Sequence, residues 1–157
     1  MLKRSQITMS PAELQAFLAE ERVVTVATIG PNGRPHLMPL WYVAEGTVIS
    51  AWTFAKSQKV RNLERRPQAT LQVEAGDRYD ELRGAMLECD VEVIRGVEAV
   101  IAIGLALGAR YAPGPAAAAS PERRALVAQQ VPKRVGLRFH PTRVSSWDHR
   151  KLAVGVH

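Results

Sequence analysis

The chain has 157 residues, 46% of them hydrophobic, which is the size and composition of one ordinary domain (1–157) with a real core. No apolar run approaches the roughly 18 to 20 residues of a membrane span, and the N-terminus lacks a secretory pattern, so a cytoplasmic, non-membrane protein is expected. The formal net charge of +6 favours anionic ligands or partners, while Cys89, the only cysteine, cannot form an internal disulfide.

Ser10-Pro11-Ala12-Glu13 reads as a helix start, with a capping serine, a proline at the first helical position and a glutamate at the third. Leu14, Phe17 and Leu18 give that helix one apolar face. Val23 to Ile29 is a β-branched-rich strand, and Gly30-Pro31-Asn32-Gly33 turns it into a second extended segment, Pro35 to Val43. Pro39 cannot donate to a sheet ladder, so its strand is expected at an edge or at an irregularity. Glu45-Gly46 turns the chain into a third strand, Val48 to Thr53. Phe54 to Pro67, FAKSQKVRNLERRP, leaves that strand through a small-residue turn and continues as a short arginine-rich helix.

Ala69, Leu71, Val73 and Ala75 then alternate with Thr70, Gln72 and Glu74 in a half-buried strand, and Gly76-Asp77 turns it toward an antiparallel neighbour over Tyr79 to Val93. Cys89 falls on the apolar side of that second alternation, as a packed thiol rather than a nucleophile. Val97 to Tyr111 has helical apolar spacing, with Gly104 and Gly108 opening it to close packing. Ala112 to Ala119 is a low-complexity loop, and Ser120-Pro121-Glu122 starts another capped helix. Val135, Leu137 and Phe139 alternate in a final strand, from which Pro141 passes the chain to Val144-Ser145-Ser146-Trp147. The fold class is α+β, mainly β and antiparallel, with flanking helices.

A bound phosphate needs positive charge and donors converging from several backbone positions. Lys56, Ser57 and Lys59 supply that combination, and a helix starting near Ser57 would add its free amides. The alternative is a solvated amphipathic helix that buries only Val60 and Leu63. The histidines at 36, 140, 149 and 157 have no metal-ligand spacing, so no metal is expected. Dinucleotide, Walker and nucleophile-elbow motifs are absent, and with 6% aromatics and no recognition motif a nucleic-acid partner is not expected.

The order helix, strand, Asn-Gly hairpin, Pro-His-Leu-Met-Pro-Leu-Trp, strand, Lys-Ser-Gln-Lys with Arg-Asn-Leu and then Pro resembles the pyridoxamine 5'-phosphate oxidase-like, FMN-binding split β-barrel superfamily over nearly the whole chain. Within it the chain is most similar to the actinobacterial deazaflavin-dependent reductases of the B type, which include biliverdin reductases using coenzyme F420. The resemblance implies a homodimeric split β-barrel with the cofactor phosphate at Lys56, Ser57 and Lys59. Gln58 stands where flavin oxidases often carry arginine, and Arg61 and Asn62 follow on the same helix. His36, Leu37, Met38 and Pro39, with Trp52, Thr53, Phe54 and Ala55, match the segments that wrap the ring; His36 and Trp52 serve equally well as structural residues. Tyr79 and Trp147 resemble aromatic positions lining the site across the dimer interface, and each serves also as ordinary packing.

The implied activity is hydride transfer from reduced F420 to an unsaturated small-molecule acceptor, with no residue assigned as proton donor. Five basic residues between Lys56 and Arg66 face one acid, Glu64, which is more charge than one phosphate requires and suits the carboxylate tail of F420. The alternatives are an FMN-dependent enzyme on the same barrel and a non-catalytic F420 or FMN carrier.

Overall fold

The computed structural model describes residues 4–112 and 120–155; most of the low-complexity loop, and His157, lie outside the described residues. A short helix, α1 (Arg4–Ile7), precedes α2 (Pro11–Glu20). The capping box at α2 forms as its sequence requires: the Ser10 hydroxyl accepts from the Glu13 amide at 3.2 Å, and the Ser10 amide donates to the Glu13 carboxylate at 2.8 Å. Leu14, Phe17 and Leu18 are buried.

Seven strands follow: β1 (Val23–Ile29), β2 (Pro35–Trp41), β3 (Val43–Glu45), β4 (Val48–Phe54), β5 (Gln68–Ala75), β6 (Arg83–Ile94) and β7 (Arg134–Asp148). They form one antiparallel sheet in the order β2-β1-β5-β6-β7-β4-β3, curled into a split barrel. The β1–β2 and β3–β4 hairpins turn at Gly33 and Gly46, whose positive φ of 78° and 61° favours glycine. Pro39 lies on β2, an edge strand paired only with β1, where a missing amide leaves no neighbour unsatisfied.

Two segments differ from the sequence expectation. Tyr79–Glu81 is a 3-10 turn rather than strand, closed by Glu81 donating to the Arg78 carbonyl at 2.9 Å, and β6 begins at Arg83. The last strand runs through Pro141 without breaking. A bulge absorbs the proline: the register shifts between Glu88 and Cys89, and the Thr142 hydroxyl bonds the Glu88 carbonyl at 3.1 Å.

Strand alternation places Val24, Val26, Leu71, Val73, Leu87 and Leu137 in the main core, joined by α2 and by Val60 and Leu63 of α3 (Gln58–Arg65). On the outer face of β4 and β7, α4 (Val97–Tyr111) buries a second cluster, with Val100, Ile103 and Leu107 against Trp52 and Ile94, the last residue of β6. α5 (Pro121–Gln130) lies on α4, capped by the Ser120 hydroxyl. Cys89 is buried, and burial pushes its thiol up to about 12, as befits a packed side chain.

Candidate functional site

β4 ends at Phe54, and the chain turns as the Ser57 amide donates to the Phe54 carbonyl at 3.0 Å. Ser57 occupies the N-cap of α3 in an extended conformation, as its sequence position predicts. Its hydroxyl does not cap the helix, however, and among the described residues the buried Oγ has no hydrogen-bond partner.

Lys59, one turn in, does not reach for solvent. It is only 6% exposed, and its Nζ donates to the Thr53 hydroxyl at 3.0 Å. Among the described residues it has no ion-pair partner. Burial, with a smaller effect from the nearby Arg134 cation, holds its amine below the ordinary lysine pKa. A desolvated ammonium bonded to one neutral hydroxyl is an incomplete arrangement that an anion would complete.

The rest of the polar face of α3 is tied to the end of β1. Asn62, fully buried, donates to the Thr28 hydroxyl at 3.0 Å and accepts from Gln58 at 2.8 Å, while Arg65 donates to the Ile29 carbonyl at 2.8 Å. These bonds fix the second half of the helix against the barrel and tie Gln58 at its start to that anchor. Lys56 and Arg61 remain exposed at its surface.

The two expected ring segments divide by strand alternation. His36 pairs with Thr28 and Met38 with Val26, which sets both on the inner side, where Met38 is still 42% exposed; the His36 Nδ1 is buried and, among the described residues, unpartnered. Leu37 and Pro39 face outward and are exposed. Thr53 likewise faces inward toward Lys59, whereas Trp52 turns outward against α4 and Phe54 lies exposed. Ala55 follows, its amide donating to the Lys133 carbonyl at 2.8 Å.

Sequence reasoning missed Arg134. It pairs with Phe54 across β4 and β7, and its guanidinium lies 4.0 Å from the Phe54 ring centroid and 5.1 Å from that of Trp52. Its Nε is buried without a partner, and burial lowers its pKa. The only signal in the chain was a basic pair, Lys133-Arg134, before an apolar alternation.

Tyr79 and Trp147 are not brought to Lys59 within one chain. Trp147 pairs with Gly84 at the start of β6, and Tyr79, 67% exposed, packs edge-on against His149. α3 lies beyond the far end of that strand, where Glu64 bonds Arg95 at 2.6 Å. At about 3.3 Å per residue, roughly 35 Å of strand contour runs between the start and end of β6.

Among the described residues, no helix is long and apolar enough to cross a membrane. A crystal structure of a conserved hypothetical protein from Mycobacterium tuberculosis is 41% identical over 100% of this chain and 96% of that one, with a TM-score of 0.88. An F420 reductase structure matches 83% of this chain and 94% of its own at 24% identity and a TM-score of 0.62. The heme storage protein of Vibrio cholerae matches 85% and 91% at 16% identity and a TM-score of 0.65. At those identities the last two show a shared fold alone. No curated protein sequence matches. The family model described as pyridoxamine 5'-phosphate oxidase matches residues 10–148. That span runs from the capping serine of α2 to the last residue of β7 and takes in every strand, so the chain belongs to the pyridoxamine 5'-phosphate oxidase family.

Proposed function

We propose that this protein is a coenzyme F420-dependent reductase, a cytoplasmic homodimer that passes a hydride to an unsaturated organic acceptor. The observation that carries the reading is Lys59, a buried cation with no ion-pair partner among the described residues, two positions after Ser57, whose buried hydroxyl likewise has no partner among them, at a helix start. These groups fit a phosphate. Lys59 supplies charge, Ser57 and the free amides of α3 supply donors, and the Gln58–Asn62–Thr28 chain keeps them in place. On the inner side of β2, His36 and Met38 stand where the resemblance puts the ring.

When bound, the deazaflavin supplies a hydride donor whose central carbon replaces the oxygen-reactive nitrogen of a flavin. Gln58 brings no charge to the position where flavin oxidases often carry arginine, and its amide is already engaged by Asn62. Exposed Lys56 and Arg61 leave positive charge available for a carboxylate tail. The family match favours a second reading, an FMN-dependent enzyme using the same cradle.

Parallel fluorescence titrations with the two cofactors test the choice. F420 is expected to bind at least about tenfold tighter than FMN, with an advantage that shrinks as salt rises. Equal affinities would remove the F420 reading. Protein loaded with reduced F420 should stay reduced in aerated buffer and regain the oxidised absorbance band when an enone or quinone is added. Rapid oxygen consumption with FMN would favour the oxidase, and tight binding without turnover across a broad acceptor panel would favour a carrier.

A further inference from the structure

α5 buries none of its residues and crosses α4 over a glycine. A Cβ on Gly104 would come within 2.5 Å of the Trp52 ring and 2.6 Å of the Val127 side chain, so only glycine fits there without a shift. Beside this contact, α4, α5, β2 and β4 line an open slot of about 530 Å³. That volume is in the range of small-molecule sites. Its walls include Trp41, Trp52, Tyr111, Leu107 and Leu126. Trp41 lies flat on Tyr111, with ring centroids 4.7 Å apart and planes 8° from parallel, yet it stays 60% exposed.

Charge in the slot has one sign. Among the described residues, Arg123 is the only ionisable side chain in its lining apart from Tyr111, and no carboxylate lines it. The next residue, Arg124, is paired with Glu98 at 2.7 Å, but among the described residues Arg123 has no ion-pair partner. Tyr111 is already stacked on Trp41 and carries the Arg22 guanidinium 4.5 Å from its ring centroid, so the exposed Trp41 is the surface that favours a planar conjugated ligand, and the unpaired Arg123 at a mostly apolar slot favours one anionic group on it.

We propose that this slot is a second ligand site, distinct from the phosphate cradle, for a planar conjugated molecule bearing one carboxylate. Trp52 faces the slot while its neighbour Thr53 faces Lys59, so the two sites lie on opposite faces of β4. The slot therefore stands whether or not F420 binds.

Isothermal titration calorimetry on the full chain without cofactor tests it, using 2-naphthoate and its cationic counterpart 2-naphthylmethylammonium. Naphthoate should bind about fivefold or more tighter than the ammonium. Trp41→Ala and Arg123→Ala should each weaken naphthoate by about fivefold or more, with Arg123→Lys recovering part of the loss. Leu126→Asp, at a site 65% exposed and so tolerant of charge, should reverse the preference toward the ammonium. Glu74→Gln, exposed on β5 and outside the slot lining, should leave both affinities unchanged. Equal affinity for the two probes, or naphthoate binding unmoved by both Arg123→Ala and Leu126→Asp, would overturn the proposal. Loss of F420 binding in a separate titration would not bear on it.

Discussion

Lys59 shows how one residue can be costly to the empty protein and useful to the loaded one. Its folded-state pKa lies below the ordinary 10.5, so folding favours the neutral amine. The resulting cost to stability is fully present below the folded pKa, fades as pH rises from there to 10.5, and is gone above it. Lys59→Met, which keeps the apolar stem, should therefore raise the Tm of the ligand-free protein at pH 7, and the gain should shrink as pH climbs through that window. Differential scanning fluorimetry at several pH values checks this; an unchanged or lowered Tm at pH 7 would mean that Lys59 is not electrostatically strained. With cofactor the sign reverses. A charge-assisted hydrogen bond is worth roughly 1.5–3 kcal/mol, so Lys59→Ala should weaken cofactor binding about 10- to 150-fold by calorimetry.

Helix ends and close strand contacts govern the scale of elements. The C-terminal carbonyls of α2 have no partner within their own helix, and Arg110 of α4 supplies one by donating to Leu18, Ala19 and Glu21. The same guanidinium bonds the Tyr42 carbonyl and lies 4.6 Å from the Tyr42 ring centroid. Arg110→Ala should cost about 2–3 kcal/mol in urea unfolding, and Arg110→Lys should recover less than half, because an ammonium cannot span several carbonyls. Where β6 meets β7, a Cβ on Gly84 would fall 2.2 Å from the Trp147 ring. Gly84→Ala should destabilise by about 1–3 kcal/mol, measured in the same way, and Trp147→Leu in that background should restore part of the loss. No recovery would show that Trp147 is not packed against this position.

At the scale of the whole molecule, the outer face of β2 is the unfinished part. Leu37 is 60% exposed on an edge strand. Tyr79 and Trp147 lie at the end of β6 away from α3, so only a second chain could set them beside Lys59. Light scattering should find a homodimer at low micromolar concentration. Leu37→Asp should shift it toward monomer and weaken cofactor binding while thermal melting remains cooperative. A monomer that binds cofactor with undiminished affinity would remove Tyr79 and Trp147 from the site.

The elements legible in the sequence were those decided within a turn or a strand. Ser10 and Glu13 cap α2 through bonds three residues apart, Gly33 and Gly46 supply the left-handed backbone of two hairpins, and the alternation from Ala69 to Ala75 names the buried face of β5. The composition of Lys56 to Lys59 pointed to an anion, because charge and donor type are properties of the residues themselves. Tertiary structure alone decided the pairing of β4 with β7 rather than with β2, the continuity of β7 through Pro141, and the turning of Trp52 from the expected ring wall into a helix contact. It also buried Lys59 against Thr53 and laid Arg134 over Phe54. Each depends on segments distant in the chain excluding water together, and neither spacing nor propensity carries the cost or gain of that desolvation.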